Sequence, residues 1–92
     1  MAIGPEEINR PEIVAEVTKR LEAYETALVA NDVERLVDAF WVSPLAVRYG
    51  IDECQYGHDE IAEYRRASVT ATPPRAVTRT VVTTFGDDFA TA

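Results

Sequence analysis

Arg48 is the sole arginine of the stretch FWVSPLAVRYGIDECQYGHDEIAEY, residues 40–64. The same stretch holds Phe40, Trp41, Tyr49, Tyr56 and Tyr64, together with the chain's single cysteine, Cys54, and single histidine, His58. A guanidinium is a planar fork of donors that can grip a carboxylate through two parallel hydrogen bonds, which a lysine cannot do. Flat rings on both flanks would give a planar anion its walls, with Phe40, Trp41, Tyr56, His58 and Tyr64 as the candidate substrate-binding side chains. The alternative for Arg48 is a structural ion pair with a helix carboxylate, or a solvated strand face. Tyr24 is its natural catalytic partner: a phenol beside a guanidinium is readied as a general acid. The alternative for Tyr24 is a core tyrosine bonded to a backbone carbonyl. His58 follows Gly57 at a helix start, so it reads either as a cap or as pocket lining. Cys54 has no base at a triad spacing, although His58 is four residues on, and an inert buried thiol is its default reading. Arg65 and Arg66 read as a solvated helix face, with either one a candidate second contact for an anion.

One histidine and one cysteine without CxxC or HExxH spacing do not make a metal site. Glycine-rich phosphate loops, nucleophile elbows and nicotinamide fingerprints are also missing, so no metal and no cofactor are expected.

These side chains need elements to position them. Read with period two, Leu45, Val47 and Tyr49 share one strand face while Ala46 and Arg48 share the other. Gly50-Ile51-Asp52-Glu53 supplies a turn, and Cys54-Gln55-Tyr56 returns as a second strand. A short helix follows, over 58–67. Upstream, Ile13, Val17, Leu21, Tyr24 and Leu28 recur at spacings of four, four, three and four, the apolar stripe of a helix of about five turns. Asn9 is placed to cap it, with Pro11 in its first turn and Glu12 near a capping-box position. Ala30-Asn31-Asp32 closes this helix and caps a second, whose apolar face is Val33, Leu36, Val37 and Phe40 and which Pro44 forbids to continue. Residues 70–74 read as an extended linker through Pro73-Pro74. Residues 75–85, RAVTRTVVTTF, read as the strongest strand, turning at Gly86-Asp87-Asp88 into Phe89-Ala90-Thr91-Ala92. So short a return leaves an edge unpaired, and further strands or a second chain are expected to complete the sheet.

Ninety-two residues bound the answer to one domain, here 9–92 behind a loose leader, 1–8. A net charge of −7 disfavours nucleic-acid binding, which needs a basic surface. No apolar run approaches the roughly 18 residues of a membrane span, and the acidic, proline-broken N-terminus is not a signal peptide. A lone cysteine implies no oxidising compartment, so the cytoplasm is the expected address.

The order helix, helix, hairpin, helix, long hairpin resembles the cone-shaped α+β domains of the nuclear transport factor 2-like (SnoaL-like) superfamily. Within it, NRPEIVAEV, ALVANDVERL, AFW, VRYG, YGHDEI, RTVVTTFG and DFATA are similar to the small AtzH-like and HpxZ-like proteins over about residues 8–92. The resemblance implies three helices packed on a curved antiparallel sheet, a pocket between them and a homodimer; family members continue beyond the ATA with further strands. It also implies bacterial nitrogen catabolism: decarboxylating, amidohydrolase-type conversion of 1,3-dicarboxyurea to allophanate in the cyanuric acid route, or association with oxalurate in purine breakdown. Arg48 and Tyr24 are the catalytic pair on that reading. Arg48 anchors a carboxylate of a small ureido acid and Tyr24 protonates the nitrogen. The contrasting expectation is a non-catalytic binding or assembly subunit accompanying an amidase.

Overall fold

Residues 3–68 and 75–92 are described by a computed structural model of the chain. A 3-10 turn (Pro5–Glu7) is followed by α1 (Pro11–Ala30), α2 (Val33–Asp38), β1 (Val47–Tyr49), β2 (Cys54–Tyr56), α3 (His58–Ala67), β3 (Thr83–Phe85) and β4 (Phe89–Thr91). The fold is α+β. Its residues gather into two compact units, Met1–Ala23 with Arg75–Ala92, and Tyr24–Pro74. The linker expected over residues 70–74 lies outside the described residues.

In the first unit, α1 begins where the Arg10 carbonyl accepts from the backbone of Ile13 and Val14. Asn9 is not its side-chain cap. With φ at 56°, Asn9 turns away, and its amide oxygen accepts from the Thr84 backbone at 2.9 Å while its own N–H donates to the Thr84 carbonyl at 3.0 Å. A local capping bond lost here to a pair of long-range ones that lock the chain onto β3. Residues 5–8 are correspondingly no loose leader: Ile8 bridges Phe85, and Gly86 donates to the Glu7 carbonyl at 2.9 Å. Arg10 reinforces the same junction with a 2.7 Å ion pair to Asp87, which raises the Arg10 pKa above its ordinary value chiefly through that hydrogen bond.

The long strand expected over 75–85 shortens to Thr83–Phe85. A strand needs a facing ladder, and β4 offers partners only from Phe89, opposite Phe85, to Thr91, opposite Thr83. Residues 75–82 are therefore not in a ladder, whatever their Val and Thr content favours. Gly86, with φ at 64°, supplies the left-handed position that the 86–88 turn requires. The single curved sheet is likewise represented by two two-stranded ladders, β1–β2 and β3–β4.

In the second unit, α1 ends as a Schellman motif. Asn31 adopts the left-handed conformation (φ 51°), its N–H donates to Leu28, and the Asp32 N–H reaches back to the Ala27 carbonyl at 2.9 Å. Asp32 then serves α2, its carboxylate accepting from the Arg35 backbone. One asparagine and one aspartate thus stop a helix and start the next. The core lies between them: Ala27, Leu28 and Leu36 pack together with Tyr24 against the cluster. Gly57 opens α3 with φ at 86°, and a side chain there would meet the Pro44 carbonyl besides the strained backbone. Among the described residues, no helix is long and apolar enough to cross a membrane.

Candidate functional site

Burial on the β1–β2 hairpin runs opposite to its hydrophobicity. Ala46 just before β1, Arg48 on β1 and Gln55 on β2 are covered or half-covered, whereas Leu45, Val47, Tyr49 and Tyr56 face outward. The register sets Arg48 directly across from Gln55, and the turn returns Glu53 to the same side. One guanidinium nitrogen, Nη1, donates to Glu53 Oε1 at 2.9 Å and to Gln55 Oε1 at 2.8 Å. The guanidinium carbon sits 5.0 Å from the centre of the Tyr64 ring, a cation–π distance. The Arg48 side chain is 17% exposed. It has an ion-pair partner, but this is a turn glutamate, not the helix carboxylate that was the structural alternative. Because both bonds use Nη1, the Nε–Nη2 edge, the one suited to a carboxylate fork, has no protein partner among the described residues.

Arg48 holds the Glu53 carboxyl at about 2, well below its ordinary 4.5, with Asp52 and Tyr64 adding smaller hydrogen-bond contributions. A depressed carboxyl stabilises the fold above the unfolded value and loses that contribution as pH falls through the folded one. The stability difference between the wild-type protein and Glu53→Gln is therefore expected to be constant above about pH 4.5 and to shrink as pH falls towards 2. Urea unfolding across that range checks it; a difference independent of pH would show that no ionised Glu53 is paired in the fold.

Tyr24, on α1, belongs to the same unit as Arg48. Its half-buried ring rests on the core cluster and meets Phe40 edge to face, centroids 6.2 Å apart. Its hydroxyl accepts from Arg65 Nη2 at 2.9 Å. The guanidinium hydrogen-bonded to Tyr24 is thus that of Arg65. Arg65 Nε is buried with no hydrogen-bond partner. The Arg65-Arg66 pair is split by the helix rather than solvated together. Arg65 follows the buried Ile61 and Ala62 by four and three residues, so it falls on the covered face. Arg66 points away and holds Glu34 of α2 through two bonds, 3.2 and 3.3 Å, which lower the Glu34 pKa and raise that of Arg66. The signal that distinguishes Arg65 was present in the sequence, as an arginine at helical spacing from an isoleucine that must be buried.

His58 is the first residue of α3, and it is no side-chain cap. Its Nε2 lies 3.2 Å from the Val37 carbonyl, and since a carbonyl only accepts, Nε2 carries the proton and ties α3 to α2. Trp41 and Tyr56 are surface residues, 65% and 61% exposed, and Tyr64 is 37% exposed beneath Arg48. Hydrogen bonding to Cys54 is the main cause that raises the Tyr56 phenol above its ordinary 10, with the charges of Cys54 and Tyr49 adding to it. In the first unit a separate cavity of about 120 Å³ is lined by Ile13, Glu16, Val17, Asp87, Asp88, Phe89 and Ala90, none of them a predicted site residue. Among the described residues, no three His, Cys, Asp or Glu side chains gather into a metal-binding group.

The sites of this unit are thus an arginine with an open fork edge on a tyrosine ring, and a phenol held by a second arginine. Several solved structures share the fold. A protein of unknown function from the DUF3225 family of Pectobacterium atrosepticum SCRI1043 is 40% identical, with a TM-score of 0.91 over 97% of this chain and 70% of that one. A cystatin-like fold protein from Burkholderia xenovorans LB400 is 48% identical, with a TM-score of 0.86 over 91% of this chain and 65% of that one. The present chain thus spans about two thirds of the length of each. No curated protein matches it. The sequence profile of the AtzH-like family matches residues 6–92, nearly the whole chain, and the protein belongs to the AtzH-like family.

Proposed function

We propose that this protein is an enzyme that removes one N-carboxylate from a small dicarboxylated urea, using Arg48 as the carboxylate anchor and Tyr24 as the proton donor. The observation that carries the reading is the unfilled Nε–Nη2 edge of Arg48. Glu53 and Gln55 grip the opposite side of the same guanidinium, so the fork is held in place without being consumed. The ion pair with Glu53 offsets its charge, and the anchor accordingly works through directed hydrogen bonds more than through net field. The Tyr64 ring, at a cation–π distance, backs the guanidinium and helps hold it where a carboxylate can bind. In the chemical step the carbon–nitrogen bond breaks with its electron pair left on nitrogen. Nitrogen takes the Tyr24 proton, carbon dioxide departs, and water returns a proton to the phenolate. The donor set needs no metal for this sequence, and turnover is expected to persist in the presence of a chelator.

The test is release of carbon dioxide from 1,3-dicarboxyurea by the purified chain alone, compared with Arg48→Lys. Lysine keeps the charge but loses the planar fork, so substrate binding is expected to weaken by about 1.5–3 kcal/mol, the scale of a hydrogen bond to a charged group. A lysine variant that binds and turns over like the parent would make Arg48 structural. The outward apolar face formed by Leu45, Val47, Tyr49 and Tyr56 favours a second reading, a binding subunit that accompanies an amidase. Activity only after an amidase is added would decide for it.

A further inference from the structure

We infer that Arg65 is a positioning residue for Tyr24: it occupies the phenol oxygen as acceptor and so leaves the hydroxyl proton directed at the substrate nitrogen. This rests on the decarboxylation proposed above. A guanidinium has donors only, while a phenol has one proton to give and lone pairs to fill. The 2.9 Å contact from Arg65 Nη2 therefore fixes Tyr24 as the acceptor, and the Tyr24 proton has no acceptor among the described residues. In the absence of Arg65 the hydroxyl would rotate freely, and its proton would be aimed only part of the time.

Charge singles out the same side chain. In the unit holding Tyr24, Arg35 pairs with Asp32, Arg48 with Glu53 and Arg66 with Glu34. Arg65 has no carboxylate partner among the described residues. Its guanidinium thus stands, with no ion-pair partner among the described residues, beside the one atom that turns negative when Tyr24 gives up its proton, which is where a fixed charge lowers a barrier most. Arg65 also leaves its buried Nε unbonded while reaching Tyr24, an arrangement unfavourable for stability alone. Neighbouring Arg66, exposed and engaged with Glu34, is the internal control.

The experiment uses the full chain with Arg65→Met, Arg65→Lys and Arg66→Met, each matched to wild type by circular dichroism. The first readout needs no turnover. The Fermi doublet of tyrosine in ultraviolet Raman spectra reports whether a phenol accepts or donates, and subtracting the spectrum of Tyr24→Phe isolates Tyr24. Its acceptor signature is expected in wild type and Arg66→Met and absent in Arg65→Met. The second readout is kinetic: kcat falls by about 10²-fold in Arg65→Met, the scale of removing one preorganised donor, while KM changes little. Arg65→Lys, which keeps a charged donor, recovers part of the loss. In a Tyr24→Phe background, Arg65→Met adds almost nothing, because the two act as one unit. Equal losses in both backgrounds, or a doublet that Arg65→Met leaves unchanged, would overturn the inference; should Arg65→Met fail to fold, Arg65→Lys is judged by the same two readouts. If the wild-type chain releases no carbon dioxide, the proposed reaction fails, and the Raman readout alone decides whether Arg65 holds Tyr24.

Discussion

Tyr24→Phe is expected to leave the protein folded and the substrate bound while the chemical step slows by about 10²–10⁴, the usual contribution of general acid–base catalysis. The substitution removes one oxygen and leaves the ring. The ring contacts are those that pack on Ala27, Leu28 and Leu36 and meet Phe40 edge to face. What disappears is the proton and the acceptor for Arg65. Arg65 then has two unmatched donor positions in a half-buried site, so a small loss of stability accompanies the kinetic one. Single-turnover measurements at saturating substrate separate the chemical step from binding. A larger change in KM than in kcat would mean that the phenol positions substrate and donates nothing. Unchanged turnover in a folded variant would remove Tyr24 from the mechanism.

The elements were legible wherever a local rule governs them. The period of the α1 stripe, the Asn31-Asp32 junction, the four-residue turn before Cys54 and the start of α3 at His58 all follow from nearby residues. Each is present as read. What was not legible depends on partners far along the chain. Asn9 has every attribute of a cap, yet Thr84, seventy-five positions away, claims both its amide oxygen and its N–H. The 75–85 segment has the composition of a long strand, but pairing is a property of two segments, and β4 faces only three of its residues.

The candidate site divides in the same way. Alternation along β1 correctly put Arg48 on the face opposite Leu45, Val47 and Tyr49. Periodicity has no sign, however, and could not say that the polar face is the covered one. The Glu53 partner was hidden because it belongs to a turn, where side-chain direction follows backbone geometry instead of a repeat. Pairing Tyr24 with Arg48 leaves out a second guanidinium. Helical spacing from Ile61 points to Arg65 as the donor to the Tyr24 hydroxyl, which reading Arg65-Arg66 as one charge patch concealed. Adjacent residues on a helix lie about 100° apart, and here the two arginines serve different elements.

Leu36→Ala is expected to lower the unfolding free energy by about 2–5 kcal/mol, the range for deleting a buried leucine and leaving a cavity. Leu36 is 0% exposed, and its neighbours are Ala27, Leu28 and the ring of Tyr24. Two of these sit on the last turns of α1, whose backbone is pinned by the Asn31-Asp32 Schellman motif, so the wall cannot collapse far into the space. The loss is therefore placed in the upper half of the range. Set against a total of roughly 5–15 kcal/mol for a small domain, it removes a large share of the stability. Trp41, the only tryptophan, belongs to the same compact unit as Leu36, while backbone circular dichroism reads both units. Urea unfolding followed by Trp41 fluorescence is expected to shift its midpoint downwards. If the two units unfold as one, circular dichroism moves with it; if they unfold separately, only the Trp41 transition moves. Leu36→Val, which removes one methylene instead of three carbons, is expected to cost about 1 kcal/mol. An alanine variant as stable as the parent would show that α2 does not pack on α1 through Leu36, and the seat of the Tyr24 ring would have to be sought elsewhere.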